Sequence, residues 1–260
     1  MFQIPIEPLL VFVLVLVRVS LFFAFLPVFG DLFMPVRVRV ITGVAVALVF
    51  TPLLYRAPLP LPQTLPQFVA AMAPEALLGM AFGLVGRIAF GAIQYAGQIM
   101  GLEIGFDMAQ QMDPTQTMQM PVVAQLLFIC SLLVFFISNA HHFFFEALAR
   151  SFDSVPPGSI RFSANGMAAF FTDQGARMFL IAVQLSLPII AVIFVVNVSM
   201  GMLAKGVPQI QAFYERFSVC VIVGLFMMSV LTGLLVRAMG GVLAHLEDDL
   251  RVLLGLLGGG

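Results

Sequence analysis

Residues 97–121 read GQIMGLEIGFDMAQQMDPTQTMQMP. Gly97, Gly101 and Gly105 recur every four residues, so on a helix they share one face. Small residues at that spacing let helix backbones approach closely in an apolar setting. A methionine-rich stretch follows, with Met108, Met112, Met118 and Met120 beside Phe106 and no Lys or Arg. Methionine side chains are flexible and polarizable, so they fill irregular gaps and repack. Asp113-Pro114 predicts a turn that stops the helix. Two readings of this loop stand side by side: a deformable plug that seals an aperture, and ordinary packing between helices. Thioether ligation of copper(I) is a third, but the loop holds no Cys or His to support it.

The flanks decide the class. The chain has 260 residues, 61% of them hydrophobic and 10% charged, with a mean hydropathy of +1.09. Soluble domains carry about 25% charged residues, so this is a membrane or membrane-associated protein. A net charge of −1 argues against nucleic acid, which needs a basic face. Cys130 and Cys220 lie inside apolar runs, far apart in sequence, and read as small buried hydrophobes. There is no Trp, so any aromatic belt at a bilayer interface must rely on Tyr. The first positive charge, Arg18, falls within an apolar run. The N-terminal segment is therefore expected to be retained as a first span and not cleaved as a signal.

Six apolar segments appear, near Leu9–Phe29, Val40–Tyr55, Ala76–Leu102, Val122–Ala140, Met178–Ala204 and Phe217–Val236. Lipid-facing backbone must satisfy its own hydrogen bonds, so these are expected to be helices. No alternation of a β-barrel kind is present. Prolines at 58, 60, 62 and 66 make the second connection extended, and Pro156-Pro157-Gly158 marks a turn in a polar stretch from Ser151 to Asp173. The chain is expected to form a single all-α domain over residues 1–260, with a loose tail from Leu253. With six crossings, one side carries Arg56, Arg150, Arg161, Arg177, Arg237 and Arg251. The other carries Arg37, Arg39, Lys205 and Arg216. That is a weak positive-inside bias, as for a chain that docks into a larger assembly.

Arg18 and Arg87 interrupt apolar runs, where an unpaired Arg costs about 2.5–3.5 kcal/mol. They are expected to pair with acids of neighbouring helices or subunits, and Glu75, Glu103 and Glu146 are the candidates. Gly79, Gly83, Arg87 and Gly91 repeat every four residues, a second seam for tight helix packing. His141 and His142 are adjacent, so on a helix they point about 100° apart and cannot chelate together. No nucleophile–base set, phosphate loop or metal spacing is present. The chain is read as a non-enzyme without a cofactor or metal.

Several landmarks fall in one order: Leu26-Pro27-Val28-Phe29-Gly30, Pro35-Val36-Arg37-Val38-Arg39, and Pro74-Glu75-Ala76-Leu77-Leu78-Gly79. Then come Ala96-Gly97-Gln98-Ile99-Met100-Gly101, Met112-Asp113-Pro114, Met120-Pro121-Val122 and Ala204-Lys205-Gly206-Val207-Pro208-Gln209-Ile210-Gln211-Ala212-Phe213. In this order the chain resembles the FliR/SctT family over nearly its whole length. The resemblance implies a pore-forming subunit of a type III secretion export gate at the bacterial inner membrane, leaning flagellar. It implies helical hairpins packed within a hetero-oligomeric gate, with much of the chain held by partners above the bilayer plane. Those partners would be FliP-like and FliQ-like subunits, with FlhB-like and FlhA-like subunits nearby, and unfolded export substrates would pass through. The family's plug loop falls on about Phe106 to Met120, and its Pro-Gln loop on Lys205, Pro208, Gln209 and Phe213. The family often has Arg where Lys205 stands and Asn where Gln211 stands, so hydrogen bonds at those two positions do not carry over. A stand-alone carrier of a small solute is the alternative. It predicts a stable isolated protein, whereas a gate subunit is expected to aggregate without its neighbours.

Overall fold

In a computed structural model, the described residues are 6–29, 34–55, 62, 64–106, 121–158, 164–206 and 212–258. They are all-α, as the sequence predicts, with no strand among them; they form seven α-helices and one short 3-10 turn where the sequence marks six apolar segments. The helices are α1 (Ile6–Phe25), α2 (Val36–Leu54), α3 (Leu65–Ile104), α4 (Val122–Ile137), α5 (Ala140–Ser154), α6 (Ala164–Gly206) and α7 (Ala212–Gly258). Five of them, α1, α2, α3, α6 and α7, are long and apolar enough to cross a membrane, and α4 with α5 would make a sixth.

Contacts divide the chain into two compact units. One comprises Met1–Ile88, Asn139–Gln174 and Ala244–Gly260; the other comprises Ala89–Ser138 and Gly175–Leu243. Both are discontinuous in sequence, because α3, α6 and α7 each contribute to both. Composition shows no boundary inside a continuous helix, which is why the sequence reads as a single domain.

The first unit is built on α1. Its buried residues are Val11, Leu14, Val15, Arg18, Val19, Phe22 and Phe23, with Leu26 just beyond the helix. That is a stripe at the helical period, and Arg18 occupies a register position within it. Fully burying a side chain such as Phe22 stabilises by about 1.5–3 kcal/mol. Phe22 meets Phe144 of α5 with ring centroids 6.2 Å apart. The buried face of α5 is Ala140, Phe144, Ala147, Leu148, Ser151 and Phe152, again at i, i+4, i+7 and i+8 spacing. The apolar run of the fourth segment ends at Ala140, so hydropathy alone does not reveal this amphipathic helix. Asn139, which precedes it, takes the left-handed conformation at φ 57°, one that Asn tolerates better than most residues.

The second unit has a core of Ile93, Ala96, Met100 and Ile104 from α3, Val123 and Leu127 from α4, Ala182, Leu185, Ile189 and Ile193 from α6, and Cys220, Leu235 and Met239 from α7. Phe90 stacks edge-on against Phe128 and Phe135 at centroid distances of 5.9 and 5.4 Å.

Several boundaries differ from the sequence reading, most of all at α3, α6 and the C-terminal helix. α3 begins at Leu65, before the expected Ala76, and runs through Pro74. Pro66 sits in its first turn, where a missing N–H costs nothing. α6 begins at Ala164 and absorbs the polar stretch up to Arg177, because polarity alone does not break a helix. The C-terminal segment from Leu253 is helix through Gly258, and Leu253 and Leu257 are buried at i, i+4 spacing, so it is no loose tail. The Pro156-Pro157-Gly158 turn is where the sequence places it, with Gly158 at φ 82°.

Candidate gating site

Two helix ends of the second unit flank residues 107–120 and are the candidate anchors of the methionine-rich stretch. α3 supplies the first. Its last turn closes with three hydrogen bonds: Phe106 N–H donates to the Gly101 carbonyl at 3.0 Å, and Gly105 N–H is shared between the Gly101 and Leu102 carbonyls at 3.0 and 3.2 Å. Gly105 sits at φ 97°. This pattern is a Schellman cap, and it needs a residue that tolerates the left-handed region. The helix therefore stops at Ile104, well before Asp113-Pro114. Phe106 turns back and packs, partly buried, against the core of the unit.

The start of α4 supplies the second anchor. A Cβ placed on Gly97 would come 2.5 Å from the Ala124 Cα, and one on Gly101 would lie 3.6 Å from Pro121 and Val123. As α3 advances from 97 to 101, the contacts on α4 retreat from 124 to 121. The two helices are thus antiparallel, and the residues on either side of 107–120 lie together. Gly97 is a close backbone approach. A Cβ on Gly101 would make only ordinary contact, and one on Gly105, which serves as the cap, would come 3.3 Å from the Phe217 ring. The three glycines expected on one face therefore do three different things. A cavity of about 120 Å³ adjoins the cap, lined by Leu102, Glu103, Ile104, Gly105, Arg216, Phe217 and Cys220. Arg216 Nε donates to Asn197 Oδ1 at 2.9 Å on its flank.

Met108, Met112, Asp113, Pro114, Met118 and Met120 lie outside the described residues, as do Pro208 and Gln209. Lys205 is exposed in the last turn of α6, and Phe213 is in the first turn of α7.

The first unit holds the buried charge. Arg18 is fully buried, and its Nε lies 2.6 Å from Glu75 Oε2. Its Nη1 donates to the Ser151 carbonyl at 3.0 Å and to Ser151 Oγ at 3.2 Å, and its Nη2 donates to the Val155 carbonyl at 3.0 Å. The guanidinium carbon stands 4.3 Å over the Phe152 ring. The other oxygen of Glu75 accepts from Gly158 N–H at 3.1 Å. One ion pair thus ties α1, α3, the end of α5 and the Pro-Pro-Gly turn together. Both charges are hydrogen-bonded on several sides, which a buried pair requires. Nothing in the sequence singles out Ser151 or Val155, because two of these acceptors are backbone carbonyls, which leave no residue signature, and the third is a single serine hydroxyl.

Arg87 behaves differently: it is exposed. The reason is the helical period. Gly79 and Gly83 approach α1, with added Cβ atoms 2.2 Å from the Arg18 carbonyl and 2.5 Å from Phe25 Cβ. At 100° per residue, the next position on that face is about i+7, not i+8. That position is Gly86, whose Cβ would meet Leu26 Cδ1 at 2.6 Å and Phe144 at 3.0 Å. The four-residue repeat that grouped Arg87 with the glycines overlooked this drift and missed Gly86. Of the other candidate acids, Glu146 pairs with Arg150 of its own helix at 2.5 Å, and both are exposed. Among the described residues there is no cluster of three or more His, Cys, Asp or Glu able to hold a metal.

Residues 9–246 match the model of a family described as bacterial export proteins, family 1. The chain is 28% identical over 250 residues to the flagellar biosynthetic protein FliR of Bacillus subtilis (strain 168), covering 95% of each chain. It is 28% identical over 220 residues to the FliR of Escherichia coli (strain K12), covering 85% of this chain and 83% of that one. Against the FliR of Pectobacterium carotovorum subsp. carotovorum it is 31% identical over 223 residues, covering 84% and 83%. With nearly its whole length aligned to that model and to these relatives, the chain belongs to the bacterial export protein family 1.

Proposed function

We propose that this protein is a structural, pore-forming subunit of the type III flagellar protein export gate in the bacterial inner membrane. The observation that carries the reading is the family match over residues 9–246. In this reading the chain assembles with FliP-like and FliQ-like subunits, near FlhB-like and FlhA-like ones, and passes unfolded export substrates without catalysing a reaction. Its neighbours cover apolar surface that its own chain leaves open. Phe179, Leu180, Val183, Leu187, Phe194 and Val195 on α6 are all more than a third exposed. Much of that surface sits above the bilayer plane, against those neighbours.

The seal is the stretch from Phe106 to Met120. The Schellman cap at Gly105 and the Gly97–Ala124 contact give it a fixed base. Methionines mounted on such a base can close around small ions and yield to a larger passenger, since thioether chains repack at little cost. Passage is then driven by energy supplied elsewhere.

Deleting Met108 to Met118 in the assembled gate is expected to raise ion leak through the closed complex. Single-channel or vesicle-flux conductance reads this directly. A conductance unchanged by the deletion would remove the seal from this stretch and leave the family membership intact.

A further inference from the structure

α2 is the least covered of the candidate spans, with 11% of its apolar stretch buried. Only Gly43 and Ala47 are buried, and Gly43 rests on Ser20 of α1. The exposed positions include Val36, Val38, Val40, Ile41, Leu48, Val49 and Leu53. Leaving aside Val36 at the helix start, they sweep roughly 220° of the helix circumference at 100° per residue. A single partner helix covers a strip of roughly 100°, so it would leave most of this surface in water.

Three further observations name what covers it. The helix has 19 residues, about 28 Å at 1.5 Å each, against a hydrocarbon core of roughly 30 Å. Both of its hydroxyls are satisfied within the helix: Thr42 Oγ1 donates to the Val38 carbonyl at 2.9 Å and Thr51 Oγ1 to the Ala47 carbonyl at 2.7 Å. α2 thus offers no side-chain polar group that needs an outside partner along its apolar length. Its ends suit the interfaces. Arg37 is exposed at one end with Arg39 two residues on, and no acid lies in the helix. Tyr55 closes the other end and donates to Glu7 Oε2 at 3.2 Å. Arg at phosphate level and Tyr at the opposite boundary are the anchors of a lipid-facing helix.

We infer that α2 is the lipid-facing helix of its unit, packed on α1 along the Gly43–Ala47 strip and covered by phospholipid acyl chains elsewhere. This stands on α2 alone and goes beyond the gate reading; losing one would leave the other in place.

The chain has no Trp, so an introduced Trp is its only such reporter. The test uses Leu48→Trp and Val49→Trp, two exposed positions about 100° apart, in the full chain reconstituted in phosphatidylcholine vesicles with any subunits that remain bound. Emission is read as the difference from the same preparation without the substitution. Acyl-chain-brominated phosphatidylcholine is expected to lower both signals about twofold or more, since both sites lie within the hydrocarbon depth, while iodide in the water leaves them unchanged. Quenching by iodide at either site would place α2 in water. Resistance to both quenchers would place it against a protein partner. Either result overturns the inference.

Discussion

Replacing Glu75 by alanine is expected to destabilise the protein by about 3–5 kcal/mol, because it strands a buried Arg without its counter-charge. Arg18 and Glu75 are both fully buried. Total stability of a domain is about 5–15 kcal/mol, so the variant should accumulate poorly and lose its folded population on mild heating. A detergent thermal-shift measurement on the full chain with its bound subunits checks this. The double variant Arg18→Met with Glu75→Leu should recover much of the loss, since an apolar pair of similar volume removes both charges together. If Glu75→Ala were as stable as the parent, the guanidinium would have to be satisfied by Ser151 and Val155 alone. The ion pair would then not be what holds α1 to α3.

A second large effect is expected at Gly79. An added Cβ would stand 2.2 Å from the Arg18 carbonyl and 3.1 Å from Leu21 Cβ. The obstacle is backbone and cannot rotate away. Gly79→Ala should therefore push α1 from α3 and cost at least about 1–3 kcal/mol. It also disturbs the ion pair, since it moves the backbone of Arg18 itself. Gly101→Ala is the contrast. Its nearest neighbour is 3.6 Å away, so it should be neutral or gain some of the roughly 1 kcal/mol by which Ala exceeds Gly in a helix. Gly105→Ala should cost about 1–2 kcal/mol through backbone strain alone, since φ is 97° there. Equal losses at 79 and 101 would show that helix approach is not what these glycines serve.

The helical class and the apolar segments were legible because an irregular backbone is excluded from lipid and because long uncharged runs are unambiguous. Helix ends were not. α6 continues over Thr172, Asp173, Gln174 and Arg177, residues that a composition scan assigns to a loop. Their placement becomes explicable only when Gln174 is seen donating to Asp249 at 2.6 Å, a contact across 75 residues of sequence. The division into two units escaped for the same reason, since each is assembled from distant pieces. Of the site, the glycine-rich approach to the loop was legible from spacing, but its internal differences were not. Gly97, Gly101 and Gly105 look alike in sequence. Only the position of Ala124 and the bond from Phe106 to Gly101 separate a close approach, an ordinary contact and a cap. Arg18 stood out as a charge in an apolar run. Its partner among several acids was set by the register that brings Glu75 beneath α1.

The most direct test of the export-gate reading is co-purification. The chain is tagged, solubilised gently from its native membrane, and its companions are identified. A stable complex with small helical FliP-like and FliQ-like subunits is the predicted result. A chain that is well behaved alone, or only as a homo-oligomer, would contradict it and put the solute carrier in its place.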